Sequence, residues 1–405
     1  MRLLKLYSKE LEKLINRICL RKKRVEKTVT KIIDNVRNNG DEAVLKYTYK
    51  FDRVKLNSRQ MRVTEAEISG AFQNIQPEFV TNLKAIIDNV ERFYKKRIKK
   101  SWRMRSDEGV ILGEEVFPLK RVGIYIPAGT APLISTIYMT VIPARIAGVE
   151  EIVLVTPPGK DGFVNPYILV VASLLKVKEI YKMGGAQAIA ALALGTKTIK
   201  KVDKIVGPGN VYVTEAKRQV FGYVDIDMLA GPSEVVIIAN RFSNPAFVVA
   251  DLKAQAEHVG GTSFLITTSK SLAKLVKKEV DTGYLILVNN LDEAIELANR
   301  IAPEHLEILV ENPRRIIKKI RNAGCVFVGP YSPVAVGDYV AGPSHVLPTG
   351  GSARFFSALG VEDFMKTTHL IIYSKKALEK EKGLIETIAK IERMEKHINS
   401  INVRF

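Results

Sequence analysis

Apolar residues in the first hundred positions recur at helical spacing. Residues 8–38 carry them at intervals of three and four, and Gly40-Asp41 supplies a stop followed by a new N-cap. Thr64-Glu65-Ala66-Glu67 is a capping box that opens a further helix. Pro77 starts a long one, predicted to reach about Lys99 and to end in the basic cluster KKRIKKSWRMR, read as a helix C-terminus dressed in cations. From about residue 109 the period changes. Short apolar runs, each followed by an amphipathic or apolar helix, alternate through EIVLVTPP, EIYKMG, DKIVGP, SEVVIIA, GTSFLITTS, YLILVNN, HLEILV and CVFVG. The last of the intervening helices is predicted at RRIIKKIRNAG. Such alternation predicts parallel sheet with crossover helices, in two α/β units with one inserted in the other. The final residues, from about Lys375, read as a charged helix and a short tail.

Composition supports a folded chain. It has 405 residues, 46% hydrophobic and 26% charged, enough apolar material to exclude disorder. The formal net charge of +19 raises nucleic acid or an anionic ligand as partners. The lysines, however, are spread over helix faces with no aromatic-rich basic stripe, so the reading is a solvated surface and no nucleic-acid partner. Two cysteines, Cys19 and Cys325, each in an apolar stretch, exclude a disulfide framework and a thiolate zinc site. Both read as buried small hydrophobes. The start lacks the long apolar core of a signal peptide and no run approaches a membrane span, so the expectation is a cytoplasmic protein with no membrane partner.

Neither a GxGxxG nor a GxxxxGK[ST] motif occurs. Three glycine turns stand at strand-to-helix junctions instead: Pro127-Ala128-Gly129-Thr130-Ala131-Pro132, Gly184-Gly185-Ala186-Gln187 and Gly207-Pro208-Gly209-Asn210. Each aims backbone N–H groups from a helix N-terminus, where an anion is favoured, at the carboxyl edge of a sheet. Together they point to a phosphate-bearing ligand, with Tyr125, Gln187 and Asn210 placed to meet its adenosine or ribose.

Histidine is scarce: five residues, four of them with polar company. Gln255 and His258 are three apart on a predicted helix and so share a face. Glu304 and His305 are adjacent at a helix-to-strand junction. Asp338 and His345 lie in the Gly/Pro-rich stretch GDYVAGPSH. Glu392 and His397 sit on the last helix. None has a tight zinc spacing, yet together they offer one mixed nitrogen and oxygen site of the kind zinc accepts. His369 has no such company and is assigned to structure.

These residues fall within long motifs that resemble the histidinol dehydrogenase family. The motifs are VGIYIPAGTAPLISTIYMTVIPARIAGV, GGAQAIAALALGT, VGPGNVYVTEAKRQV, DMLAGPSEVVIIA, ADLKAQAEH, APEHLEI, GDYVAGPSHVLPTGG and the Glu392…His397 pair. They run in order over residues 120–400. One departure is Ala128, where the family usually has a second glycine.

The resemblance implies the last step of histidine biosynthesis: L-histidinol oxidised through L-histidinaldehyde to L-histidine, with two NAD reduced and one zinc per subunit. It implies a homodimer that exchanges its C-terminal segment. By motif match Gln255, His258, Asp338 and a partner-supplied His397 resemble the zinc ligands, and Glu304 and His305 the acid/base pair. Tyr125, Gln187 and Asn210 resemble NAD contacts; Ser233, His345 and Glu392, with His305 and the zinc ligands, resemble substrate contacts. The expected architecture is two incomplete Rossmann-like domains. Residues 21–124 with 234–360 form the zinc and catalytic domain, and 125–233 the inserted NAD domain. Helical segments 1–20 and 361–405 flank them. Another zinc- and NAD-dependent amino-alcohol or aldehyde dehydrogenase on the same scaffold is the alternative.

Overall fold

A computed structural model describes residues 1–16, 23–129, 131–258 and 260–405; Cys19 and Thr130 lie outside the described residues. It divides the chain into two compact units, Met1–Arg97 with Leu119–Phe364, and Ile98–Pro118 with Met365–Phe405.

The first unit holds two parallel sheets. One has five strands in the spatial order Glu179–Lys182, Glu151–Thr156, Arg121–Tyr125, Lys204–Val206, Asp225–Ile226. The other has six, in the order Arg2–Leu4, Tyr284–Leu287, Thr262–Thr267, Glu234–Ala239, His305–Leu309, Cys325–Val328. Counted along the chain and leaving aside Arg2–Leu4, both sheets have the order 3-2-1-4-5. That is a doubly wound arrangement, with a switch point between its first and fourth strands. The strands are nearly uniformly apolar because helices cover both faces, as in Glu234–Ala239, where all six residues are buried. Even-numbered Val236, Ile238, Leu306 and Ile308 pack with the helix Leu291–Ile301. Odd-numbered Val235, Ile237 and Leu309 pack with Val248 and Leu252 of the helix Pro245–Gln255. Each such side chain contributes about 1.5–3 kcal/mol of burial.

Five elements differ from the expectation. Met365–Ile372, within the segment 361–405 expected to be helical, is a strand because it pairs antiparallel with Ile111–Pro118. The chain begins with a strand, Arg2–Leu4, because pairing with Tyr284–Leu287 extends the sheet edge; three residues are too few to show a period. The long helix Lys23–Asp52 bends at Gly40, the anticipated stop, which adopts φ +50. Its Val29, Ile32, Ile33, Val36 and Val44 share a core with Ile189, Leu192 and Val213, so this stretch packs on the five-stranded sheet rather than with residues 234–360. The helix from Pro77 ends at Tyr94, and Trp102–Arg105 of the basic cluster is a strand. RRIIKKIRNAG forms only 3-10 turns, Pro313–Arg315 and Ile317–Lys319, after a left-handed Asn312. Cys325 is half-buried at a strand start.

The second unit is a three-stranded antiparallel sheet, in the order Met365–Ile372, Ile111–Pro118, Trp102–Arg105, followed by the helices Lys375–Ile391 and Glu395–Asn402. His369 stands exposed on it, 3.7 Å from Glu114. Leu384, Ile388 and Ile391, at helical spacing, are exposed to 69%, 57% and 75%.

Candidate functional site

The catalytic candidates gather at the amino ends of two neighbouring strands of the six-stranded sheet. His305 is the first residue of His305–Leu309, and Glu304 occupies the bend before it, so the adjacent pair can face one space. Both are buried. The Nδ1–H of His305 donates to the Glu234 carbonyl at 3.1 Å. That bond settles the tautomer: Nε2 is the exchangeable position. Nε2 points at Asp338 Oδ1, 3.6 Å away, beyond hydrogen-bond reach, and has no hydrogen-bond partner among the described residues. Glu304 Oε2 accepts from the Glu234 N–H at 2.9 Å and lies 3.6 Å from His305 Nδ1.

Electrostatics separates these groups. Burial pushes Glu304 above the ordinary carboxylate range, against His305, Ser233 and the Glu234 N–H. Burial disfavours a charged His305, but Glu304 and Asp338 outweigh it and raise its pKa. Burial also opposes ionisation of Asp338; His305, His345 and His258 reverse this and hold it below the usual value. Burial lowers His345 to about 4, so its imidazole is neutral, with an enclosed Nε2 that has no partner among the described residues.

Asp338 lies on the short helix Val334–Tyr339, where the sequence suggested no regular structure. The irregular stretch beyond it is tied down by Tyr94, whose hydroxyl donates to the Leu359 carbonyl at 2.9 Å and accepts from the Ser344 N–H at 2.8 Å. Gly342 is required here: it adopts φ +115, and a Cβ would stand 3.0 Å from Phe93. Gln255 is buried at the last position of its helix, its Nε2 without a partner among the described residues. His258 falls in the turn beyond rather than on the helix; its N–H bonds back to the Gln255 carbonyl at 3.3 Å, and its side chain is exposed. No group of three or more His, Cys, Asp or Glu among the described residues is arranged to hold a metal. Gln255, His258 and Asp338 carry oxygen and nitrogen donors of the kind zinc takes, and Gln255, His305 and His345 have buried polar atoms without partners among the described residues. Zinc fits such a set if further ligands complete it. Glu392 and His397 belong to the second unit, Glu392 as the C-cap of Lys375–Ile391 and His397 on the next helix, both exposed.

At the switch point of the five-stranded sheet, Tyr125 ends the first strand and its buried hydroxyl accepts from the Gly185 N–H at 3.1 Å. Burial pushes its pKa up to about 12, so it is a neutral phenol. Gln187, in the first turn of Gly185–Leu194, is fully buried, and neither amide atom has a partner among the described residues. Asn210 caps Val211–Val220, its Oδ1 accepting from the Tyr212 and Val213 N–H groups at 2.9 and 3.2 Å. Gly207 has φ +113, and a Cβ there would meet the Tyr125 carbonyl oxygen at 2.3 Å, so only glycine brings this turn against the first strand. Two buried groups that the sequence did not single out hold the turn. Asp227 accepts from the Gly207 N–H at 2.7 Å, and Lys217 donates to the Gly207 carbonyl at 3.0 Å while pairing with Asp227. The topological switch between first and fourth strands, with a buried amide lacking partners among the described residues, is the place where such a sheet takes a dinucleotide.

A family model for histidinol dehydrogenase matches residues 16–405. The histidinol dehydrogenase of Caldanaerobacter subterraneus subsp. tengcongensis is 48% identical, covering 97% of this chain and 95% of its own length. That of Bacillus subtilis is 46% identical, covering 93% and 92%. The crystal structure of histidinol dehydrogenase from Elizabethkingia anophelis superposes with a TM-score of 0.93 at 36% identity, over 100% of this chain and 98% of that one. On these matches the chain belongs to the histidinol dehydrogenase family, NAD-dependent oxidoreductases of histidine biosynthesis.

Proposed function

We propose that this chain oxidises L-histidinol to L-histidinaldehyde and then to L-histidine at one zinc-bearing site, using two NAD. The observation that carries the reading is the buried Glu304–His305 pair facing Asp338, with His305 Nε2, His345 Nε2 and Gln255 Nε2 all unpartnered among the described residues. Gln255, His258 and Asp338 would hold the metal together with the partner subunit's His397, and Tyr125, Gln187 and Asn210 would hold the dinucleotide. When bound, zinc supplies a grip on the substrate's imidazole and amine, and NAD accepts a hydride in each oxidation. The two parallel sheets are then two Rossmann-like halves, 125–233 for the dinucleotide and 21–124 with 234–360 for the metal, though residues 29–44 pack with the former.

In this reading His305 Nε2 takes the alcohol proton as the carbinol hydride leaves, forming the aldehyde. Water then adds to the aldehyde carbon, Glu304 accepting its proton while His305 Nε2 passes the proton it holds to the carbonyl oxygen, so that a gem-diol forms and His305 is again a free base. His305 takes the diol proton as the second hydride leaves, and the carbon ends as a carboxylic acid. Ser233, His345 and Glu392 are the remaining substrate contacts. The scheme calls for a homodimer, which the incomplete ligand set of one chain and the exposed stripe Leu384, Ile388, Ile391 support. Turnover of histidinol against amino alcohols without an imidazole tests the substrate. A site built for that ring rejects them by several orders of magnitude; comparable kcat/KM would favour another amino-alcohol dehydrogenase.

A further inference from the structure

Glu307 sits in the middle of the apolar strand His305–Leu309, on the same face as His305, and its side chain is fully buried. Its Oε1 accepts from the Val334 N–H at 2.9 Å. Its Oε2 meets no donor among the described residues; what faces it is the carboxyl of Asp251. Asp251 is half-buried, beside the buried stripe Val248, Leu252, Gln255 of Pro245–Gln255.

The spacing of these contacts is informative. His305 and Glu307 are two strand residues apart, about 6.6 Å. Val334 and Asp338, and likewise Asp251 and Gln255, are four helical residues apart, about 6 Å. Val334 meets Glu307 and Asp338 stands 3.6 Å from His305, so strand and helix match in two layers. One layer is Glu307, the Val334 N–H and Asp251. The next holds His305 and Asp338, and Gln255 lies one helical turn beyond Asp251 on its own helix.

We infer that the buried Glu307 and the half-buried Asp251 share one proton and together position His305, Asp338 and Gln255 for the reaction. The pair touches no substrate; it joins three elements where each bears a functional side chain one step further on. Two ionised carboxylates at this depth would repel, so the shared proton is part of the device. The charged groups facing Glu307 are Asp251 and, more distantly, His305. Burial first, and then the Asp251 charge, pushes Glu307 up to about 8, so the proton stays on the pair at neutral pH.

This rests on the metal and proton roles proposed above, and two substitutions in the purified full-length protein test it. Glu307→Asp keeps the acid but withdraws it from the Val334 N–H. Glu307→Gln keeps the acceptor and replaces the shared proton by an amide N–H toward Asp251. The expected result is that Glu307→Asp lowers kcat and weakens zinc retention in equilibrium dialysis, each by about tenfold or more. Glu307→Gln restores most of both and removes any fall in kcat as pH rises through 8. Glu307→Asp with wild-type kcat and zinc retention would overturn the inference, as would Glu307→Gln as impaired as Glu307→Asp. His258→Ala is the control: full zinc retention there would instead count against the proposed metal ligands.

Discussion

His305 Nε2 and Asp338 Oδ1 stand 3.6 Å apart, one on a strand end and the other on a six-residue helix crossing that strand. The gap is too long for a hydrogen bond and too short to ignore electrostatically. It leaves the imidazole held from behind by the Glu234 carbonyl and its outer nitrogen available for proton transfer.

Replacing His305 by Asn should therefore slow both oxidations, by about 10²–10⁴ in kcat, the usual contribution of a positioned base. Glu304→Gln should spare the first oxidation and slow the second. Single-turnover NADH traces with histidinol and with histidinaldehyde separate the two. Equal losses in both steps for Glu304→Gln would remove its assigned role.

Stability should carry the signature of Glu307. Its folded pKa, about 8, lies above the unfolded carboxyl value, so the native state binds the extra proton. Stability associated with that proton is present at low pH and is lost as pH rises from the unfolded pKa toward 8. Thermal melts from pH 5 to 8.5 should show the wild type losing several degrees relative to Glu307→Gln as pH rises. Parallel curves would mean that Glu307 does not hold the proton.

The Gly207 turn should depend on a pair far from the chemistry. Asp227→Ala leaves Lys217 buried without its anion and the Gly207 N–H without an acceptor, and should cost about 3–5 kcal/mol. Asp227→Asn keeps the shape and should raise the KM for NAD while leaving that for histidinol nearly unchanged. Denaturant titration and steady-state kinetics report these; an equal rise in both KM values would contradict a role in the dinucleotide crevice.

Much of this was legible in sequence, unevenly. Strands buried on both faces declare themselves as apolar runs, which is why the alternation after residue 109 translates into two sheets of the same order. The polar candidates were readable because His is rare and each stands beside Gln, Asp or Glu. What could not be read has physical causes. Arg2–Leu4 is a strand only because an edge lies open beside it, and Trp102–Arg105 is exposed along its length, so neither carries a burial pattern. The Ile316–Ile320 spacing suggested a helix, yet only Ile316 is buried, too little to hold one after Pro313. Glu307 and Asp251 were overlooked as ordinary acids; the signal was an acid at a position where the period demands an apolar residue.

The site's dependence on two chains has its own test. His397→Ala and His258→Ala should each lose zinc and activity alone. Mixed dimers of the two should recover a fraction of wild-type turnover, because one of their sites then has every ligand. No recovery in verified mixed dimers would rule out sharing.

The central claim is a four-electron oxidation at a metal-dependent site, and the most direct measurement is the NADH formed per histidinol consumed, with and without a chelator. The account predicts two NADH per histidinol, loss of turnover when the metal is stripped, and return of both on adding Zn²⁺. A yield of one, or undiminished turnover by metal-free protein, would contradict it.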